Sequence, residues 1–162
     1  MLEGAVMEYA KWFIGMLSVM FITVAVVFMF RLNEVNSFQQ EVNYQIERHG
    51  GLTQEAKVAL NDKAKTAYGG CLVSSTEDNA PCLFAADQND SSVKSSGFFI
   101  REYKTQDDGS GVYYDRGDEQ ARYGTQIHYV LTRQIGNISN TSFFKPSVLG
   151  TSASRVRGTS SE

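Results

Sequence analysis

The chain has 162 residues, the length of one domain, and a formal net charge of −3. An acidic chain with no lysine–arginine cluster lacks the electrostatic footprint of a basic nucleic-acid binder. The composition also excludes collagen, a long repeat array and a disulfide-dense mini-protein. Without its apolar N-terminal run, the remainder is a polar domain too small for a large enzyme with its own cofactor.

Trp12–Phe30 contains no charged residue, only Gly15, Ser18 and Thr23 among apolar ones. As a helix it would be roughly 28 Å long, close to the ~30 Å hydrocarbon core of a bilayer. Lys11 and Trp12 stand at one end and Arg31 at the other, where a cation can snorkel and an indole can rest in the interface. A buried core helix is the alternative, but core helices are seldom apolar all round over this length. A cleaved secretory signal would need a basic start and a small-residue cleavage site. Here the start is Met1-Leu2-Glu3-Gly4 and the run ends in Val26-Val27-Phe28-Met29-Phe30-Arg31, so an uncleaved single-pass anchor is expected.

Basic residues flank the span evenly and do not orient it. Cys71 and Cys82 orient it better. They are the only cysteines, both follow the span, and a short polar loop with Asn79-Ala80-Pro81 separates them. A disulfide between them requires an oxidising compartment, which places the N-terminus in the cytoplasm and the bulk outside. Two free thiols are the alternative. Zinc is disfavoured, because His49 and His128 lack ligand spacing.

Beyond Arg31, Val35, Phe38, Val42 and Ile46 repeat at helical spacing among polar residues, so one rod is expected from about Ala5 to Arg48. Gly50-Gly51 should break it. Thr53 caps a second helix with Glu55 in its first turn and an Ala56, Leu60, Ala64, Ala67 stripe, stopped by Gly69-Gly70. That helix can fold back onto the Phe38–Ile46 stripe. Strands are expected at Cys71–Val73, Gly97–Lys104, Val112–Tyr114 and Tyr123–Ile135, with a turn over Gln106–Gly111 and a loop over 85–96. In the longest strand, Ile127, Tyr129 and Leu131 share one face, which should meet the helical stripe. Phe143-Phe144 and Val148-Leu149 together suggest one last edge strand, and the tail from Thr151 should be loosely ordered. The expected fold class is α+β: a long N-terminal transmembrane helix continuing as an amphipathic stalk, a second helix folded back on it, and a small antiparallel β-sheet head. Its parts are a membrane helix over 1–31, stalk and second helix over 32–68, a β-rich head over 69–150 and a tail over 151–162.

No G-x-S-x-G elbow, P-loop, H-E-x-x-H or paired C-x-x-C occurs, so no enzymatic activity, cofactor or metal is expected. His49 reads as a cation at a helix C-terminus and His128 as a sheet-surface residue. Arg116-Gly117-Asp118 spells an adhesion tripeptide but reads better as a polar turn. Asn89, Asn137 and Asn140 each open a glycosylation acceptor pattern. Glu8-Tyr9 is the most informative pair, because a carboxylate just before a membrane span is costly unless it stays in the interface or finds a partner. Lys11 could be that partner within the helix.

On these residues the chain resembles pilin-like proteins of the tight-adherence (Flp, type IVc) pilus machinery, of the TadE/TadF kind. Glu8-Tyr9 opens a hydrophobic helix, and that helix continues as a stalk into Arg48-His49-Gly50-Gly51-Leu52-Thr53, with a small β head beyond. The resemblance covers roughly residues 4–70. Flp-type prepilins are cut after a glycine, with Glu fifth in the mature chain. Counting back from Glu8 puts Glu3 where the family has that glycine. The resemblance implies a structural pilin or pseudopilin subunit in the cell membrane or an extracellular filament. Glu8 and Tyr9 would serve assembly with other pilin-like subunits, and Gly15 and Ser18 would allow close helix approach. The implied partners are the lipid bilayer, like or unlike pilin subunits and the pilus assembly machinery, with no direct nucleic-acid binding. A single-pass surface adhesin or binding module is the alternative, as is a component of a related conjugation or competence apparatus.

Overall fold

The structure is a computed structural model that describes residues 2–77, 80–84, 97–105, 110–138 and 141–157. It is α+β. Helix α1 spans Leu2–His49 and α2 spans Gln54–Tyr68, followed by strands β1 (Phe98–Thr105), β2 (Gly111–Tyr114), β3 (Gln126–Arg133), β4 (Ile135–Ile138), β5 (Thr141–Phe144) and β6 (Ser147–Ala153). The chain divides into two compact units, Met1–Glu34 and Val35–Glu162. The division falls at the residue where the apolar stripe begins, just past the expected limit at Arg31.

The first unit is a helical segment whose side chains are exposed from Gly4 to Phe30. Its hydroxyls are satisfied within the helix. Ser18 Oγ donates to the Ile14 carbonyl and Thr23 Oγ1 to the Val19 carbonyl, each at 2.9 Å.

In the second unit, Val35, Phe38, Val42 and Ile46 are all buried, at most 1% exposed. They share one core with Leu60 and Ala64 of α2 and with Ile127, Tyr129 and Leu131 of β3, the partners that periodicity assigned. Phe38 stacks on Phe98 at 4.1 Å between ring centroids and meets Tyr68 edge-on at 5.6 Å. Tyr68, rather than the exposed Ala67, completes the inner face of α2. Asn61 on that helix is buried because its side-chain oxygen accepts the Leu72 N–H at 2.9 Å.

The helix ends follow from local chemistry. Thr53 is extended and its side chain accepts the Ala56 N–H, while Gly69 closes α2 at φ 62°, a left-handed angle that suits glycine. Gly50 and Gly51 end α1 at φ 72° and 139°, and both N–H groups donate to the Ile46 carbonyl. The corner expected at this pair is present.

The main sheet is antiparallel, in the order β2-β1-β3-β6. Alternation puts Phe98, Ile100 and Glu102 of β1 on the face that carries Leu131 and Tyr129 of β3. Tyr129 is fully buried and its hydroxyl donates to Asn43 Oδ1 at 2.6 Å. A side chain at Gly150, its neighbour on β6, would overlap the Tyr129 ring.

Three expectations are corrected. Tyr123–Ile135 is not one strand, because Gln134 separates β3 from β4. Gln134 turns aside to donate from its side chain to the Glu77 carbonyl at 2.8 Å. Phe143-Phe144 and Val148-Leu149 do not form one edge strand either. The first pair lies in β5, which pairs only with β4 in a second, two-stranded sheet, and the second pair lies in β6 on the main sheet. Pro146 between them cannot donate to a ladder and so breaks the run. The tail is also not loose from Thr151. Strand β6 continues to Ala153, Ser154 is 1% exposed, and the Arg155 N–H donates to the Glu47 carbonyl at 3.1 Å. Backbone pairing holds this segment where composition alone suggested disorder.

Cys71 and Cys82 form the expected disulfide, with Cα atoms 5.9 Å apart and both residues buried beside Val73, Ala80 and Phe99. The Cys71–Val73 segment makes single bridges, Leu72 to Phe98 and Val73 to Cys82, rather than a full strand. The 85–96 loop, the Asn89 and Asn140 acceptor positions and most of the Gln106–Gly111 turn lie outside the described residues.

Candidate functional site

Two places concentrate the residues that the sequence singled out. The first is the apolar part of α1. Trp12 is 77% exposed, Phe21 70% and Phe30 67%, so the apolar surface surrounds the helix instead of forming a stripe. Among the described residues this is one helix long and apolar enough to cross a membrane. Glu8 and Gly15 are seven residues apart, so helical geometry puts them on one face, with Ser18 nearby. Tyr9 lies roughly 100° round from Glu8 and points elsewhere. A side chain added at Gly15 would meet nothing, so that position is open to a neighbour. At the far end of the unit, Arg31 pairs with Glu34 at 3.0 Å.

The second place is the Gly50–Gly51 corner, expected only as a helix break. Glu102 sits under it, 4% exposed. Its Oε1 accepts the Leu52 N–H at 2.6 Å. Its Oε2 accepts Arg116 Nη2 at 2.9 Å and Nε at 3.1 Å. The carboxylate is therefore both paired and hydrogen-bonded, the condition under which a charge can be buried. A Cβ on Gly51 would come within 2.6 Å of Arg116 Nε and 2.8 Å of Glu102 Oε1, so glycine is needed here for space as well as for its angle. The Ala121 N–H donates to the Gly50 carbonyl at 2.8 Å, and Ser154 Oγ donates to the Ala121 carbonyl at 2.9 Å. Lys57 on α2 reaches Asp115 Oδ1 at 2.9 Å. That hydrogen bond, helped by the Gly117 N–H, holds the Asp115 carboxyl below its ordinary value.

This geometry decides the Arg116-Gly117-Asp118 tripeptide. Gly117 is in a turn at φ 62°, and the Arg116 side chain is committed to Glu102 and packed at 5.4 Å over the Tyr114 ring. An adhesion ligand needs that guanidinium free, so the turn reading stands. Sequence reasoning missed the Glu102–Arg116 pair. The signal was available in β1, where alternation puts Glu102 on the same face as Phe98 and Ile100. A carboxylate at an inward position demands a partner.

Of the histidines, His49 Nδ1 lies 3.4 Å from Glu55 at the end of α1. His128 Nδ1 shares a 2.9 Å hydrogen bond with Thr151 Oγ1 on the outer face of the sheet.

The chain is similar to an uncharacterised plasmid protein of Bacillus anthracis, 44% identical over 72 residues. That match takes in 44% of this chain and spans about 60% of the relative's length. No family model matches the chain, and no solved structure does.

Proposed function

We propose that the chain is a membrane-anchored, pilin-like structural subunit. Its first unit crosses the bilayer with the N-terminus in the cytoplasm, and its second unit faces the extracytoplasmic side. The observation that carries this reading is the uniformly exposed apolar surface of α1 from Trp12 to Phe30, with its hydroxyls satisfied inside the helix. Such a surface calls for lipid or for other apolar helices, and every backbone group in it is already paired, as a span requires. The buried Cys71–Cys82 disulfide supports the direction, because such bonds persist in oxidising compartments. Glu8 supports assembly over simple anchoring. A carboxylate at the edge of lipid is best stabilised by a cation on a neighbouring subunit, and Glu8 shares a helix face with the open position at Gly15.

Crosslinking in native membranes tests this, comparing the unaltered chain with Glu8→Gln. The unaltered protein should be recovered in higher-order species. Glu8→Gln should insert equally well but remain dispersed. An unaltered chain found only as a dispersed monomer contradicts assembly and favours a single-pass adhesin. Equal assembly of both proteins removes Glu8 from the contact.

A further inference from the structure

The main sheet ends in β2 on one side and β6 on the other. The ladder between β3 and β6 fixes which backbone groups of β6 point off the sheet. The Arg133 N–H donates to the Pro146 carbonyl and the Ser154 N–H to the Thr125 carbonyl, so hydrogen-bonded pairs alternate inward from both ends of that register. Val148, Gly150 and Ser152 therefore bond to β3, while Ser147, Leu149, Thr151 and Ala153 turn their backbone groups off the edge. The alternation continues across the sheet. The Gln134 N–H donates to the Gly97 carbonyl, so Glu102 and Lys104 of β1 bond to Tyr114 and Val112, and Gly111 and Tyr113 of β2 point outward. Among the described residues, no backbone group pairs with these outward ones. Edge strands are commonly blocked by a charge, a proline or a bulge. β6 is Ser-Val-Leu-Gly-Thr-Ser-Ala and β2 is Gly-Val-Tyr-Tyr, both in unbroken register, so neither carries such a block. Leu149 and Tyr113, on the outer face of the sheet, are 68% and 53% exposed.

We infer that β6 of one copy adds to β2 of a second copy, joining the second units head to tail into one continuous sheet. Strand direction selects this partner. β1 is antiparallel to β2 and to β3, and β3 to β6, so β2 and β6 run in opposite directions within one copy. Two copies in one orientation thus offer each other an antiparallel pair, and that shared orientation rests on the membrane-anchored reading proposed above. Pairing β6 antiparallel with a second β6 would turn one copy end over end. Setting Leu149 opposite Tyr113 and Thr151 opposite Gly111 makes two hydrogen-bonded pairs, about four backbone bonds. The same register covers the two exposed apolar side chains with each other. Neither strand carries a charge, so no like charges are opposed. Beside β2, Asp115 is paired with Lys57, and Arg101 lies 5.9 Å from the Tyr113 ring. A contact between unlike edges leaves one edge open at each end, so it builds a ring or a filament and not a closed dimer.

The test uses the full chain in native membranes with Leu149→Cys and Tyr113→Cys combined. Copper phenanthroline supplies the oxidant, a non-reducing gel separates the products, and peptide masses identify the linked positions. Both side chains are exposed, so the variant should fold, and an unchanged unfolding midpoint checks this. Cα atoms of a hydrogen-bonded antiparallel pair lie about 5.5 Å apart, within reach of a disulfide. A ladder of multimers linked from position 113 to position 149 is expected. Val58→Cys with Tyr113→Cys gives the collision background, since Val58 on α2 is 51% exposed. A 113–149 yield no higher than that background overturns the inference. So does a 149–149 link above it in the Leu149→Cys chain alone, which would mean that β6 pairs with β6. If the 113–149 link fails while the unaltered chain still crosslinks into higher-order species, only the edge contact is lost. If the unaltered chain is dispersed as well, assembly through α1 falls with it.

Discussion

Helix α1 carries two kinds of surface, and the contrast between them explains the molecule. From Gly4 to Phe30, apolar residues occupy every side of the helix and are exposed. From Val35 on, Val35, Phe38, Val42 and Ile46 form a stripe and are buried, and Tyr44 lies off it, exposed. Polar groups divide in the same way. Ser18 and Thr23 bond back to their own helix, whereas Asn43 and Glu47 reach other elements. The first segment meets its hydrogen bonds within its own helix, as the proposed membrane span requires, while the second faces water on one side and a core on the other.

Substitutions should separate the two segments. Phe38→Ala should have the largest effect, about 3–5 kcal/mol lost from the second unit by denaturant unfolding, because the ring lies between Phe98 and Tyr68. Phe21→Ala, equally large but exposed, should leave that transition unchanged. An equal loss from both would erase the contrast. Next comes Glu102→Gln, which strips the charge from a buried pair and should cost about 3 kcal/mol. Glu102→Leu with Arg116→Met should recover much of this, and failure to recover would show that the corner depends on the Leu52 hydrogen bond. Replacing Cys71 and Cys82 together with Ser should lower stability by about 3 kcal/mol under oxidising conditions, as expected for opening a loop of this length. An unchanged midpoint would mean the bond is dispensable.

The smallest effect is a pH dependence at the corner. Asp115 has its carboxyl lowered in the folded chain, so its contribution is complete above the ordinary carboxylate value and disappears as pH falls through the lowered one. Because the group is largely exposed, the effect should be slight. Asp115→Asn should flatten that part of the stability–pH curve, and an identical slope in both proteins would assign it to other carboxylates.

Periodicity gave the helices, the Gly50–Gly51 corner and the packing of Phe38 and Ile46 on Tyr129 and Leu131, because a helical stripe and a strand's alternation are local patterns. The disulfide followed from only two cysteines separated by a short loop. What local pattern could not give was pairing between distant segments. Thr151–Ser154 looks disordered by composition, yet it is held by its pairing with β3, His128 opposite Thr151, and by Glu47 of α1, 105 residues from Ser152 in sequence. No sequence motif singles out Glu102, and Arg116 reads only as part of a turn; the fold brings them together, Glu102 at an inward position of β1.

The central claim is that the exposed apolar part of α1 is a permanent membrane anchor. Alkaline carbonate extraction of membranes from cells making the full-length protein measures this directly. The account predicts that the chain stays in the membrane pellet and is released only by detergent. Recovery of the intact, folded chain in the carbonate supernatant would contradict it.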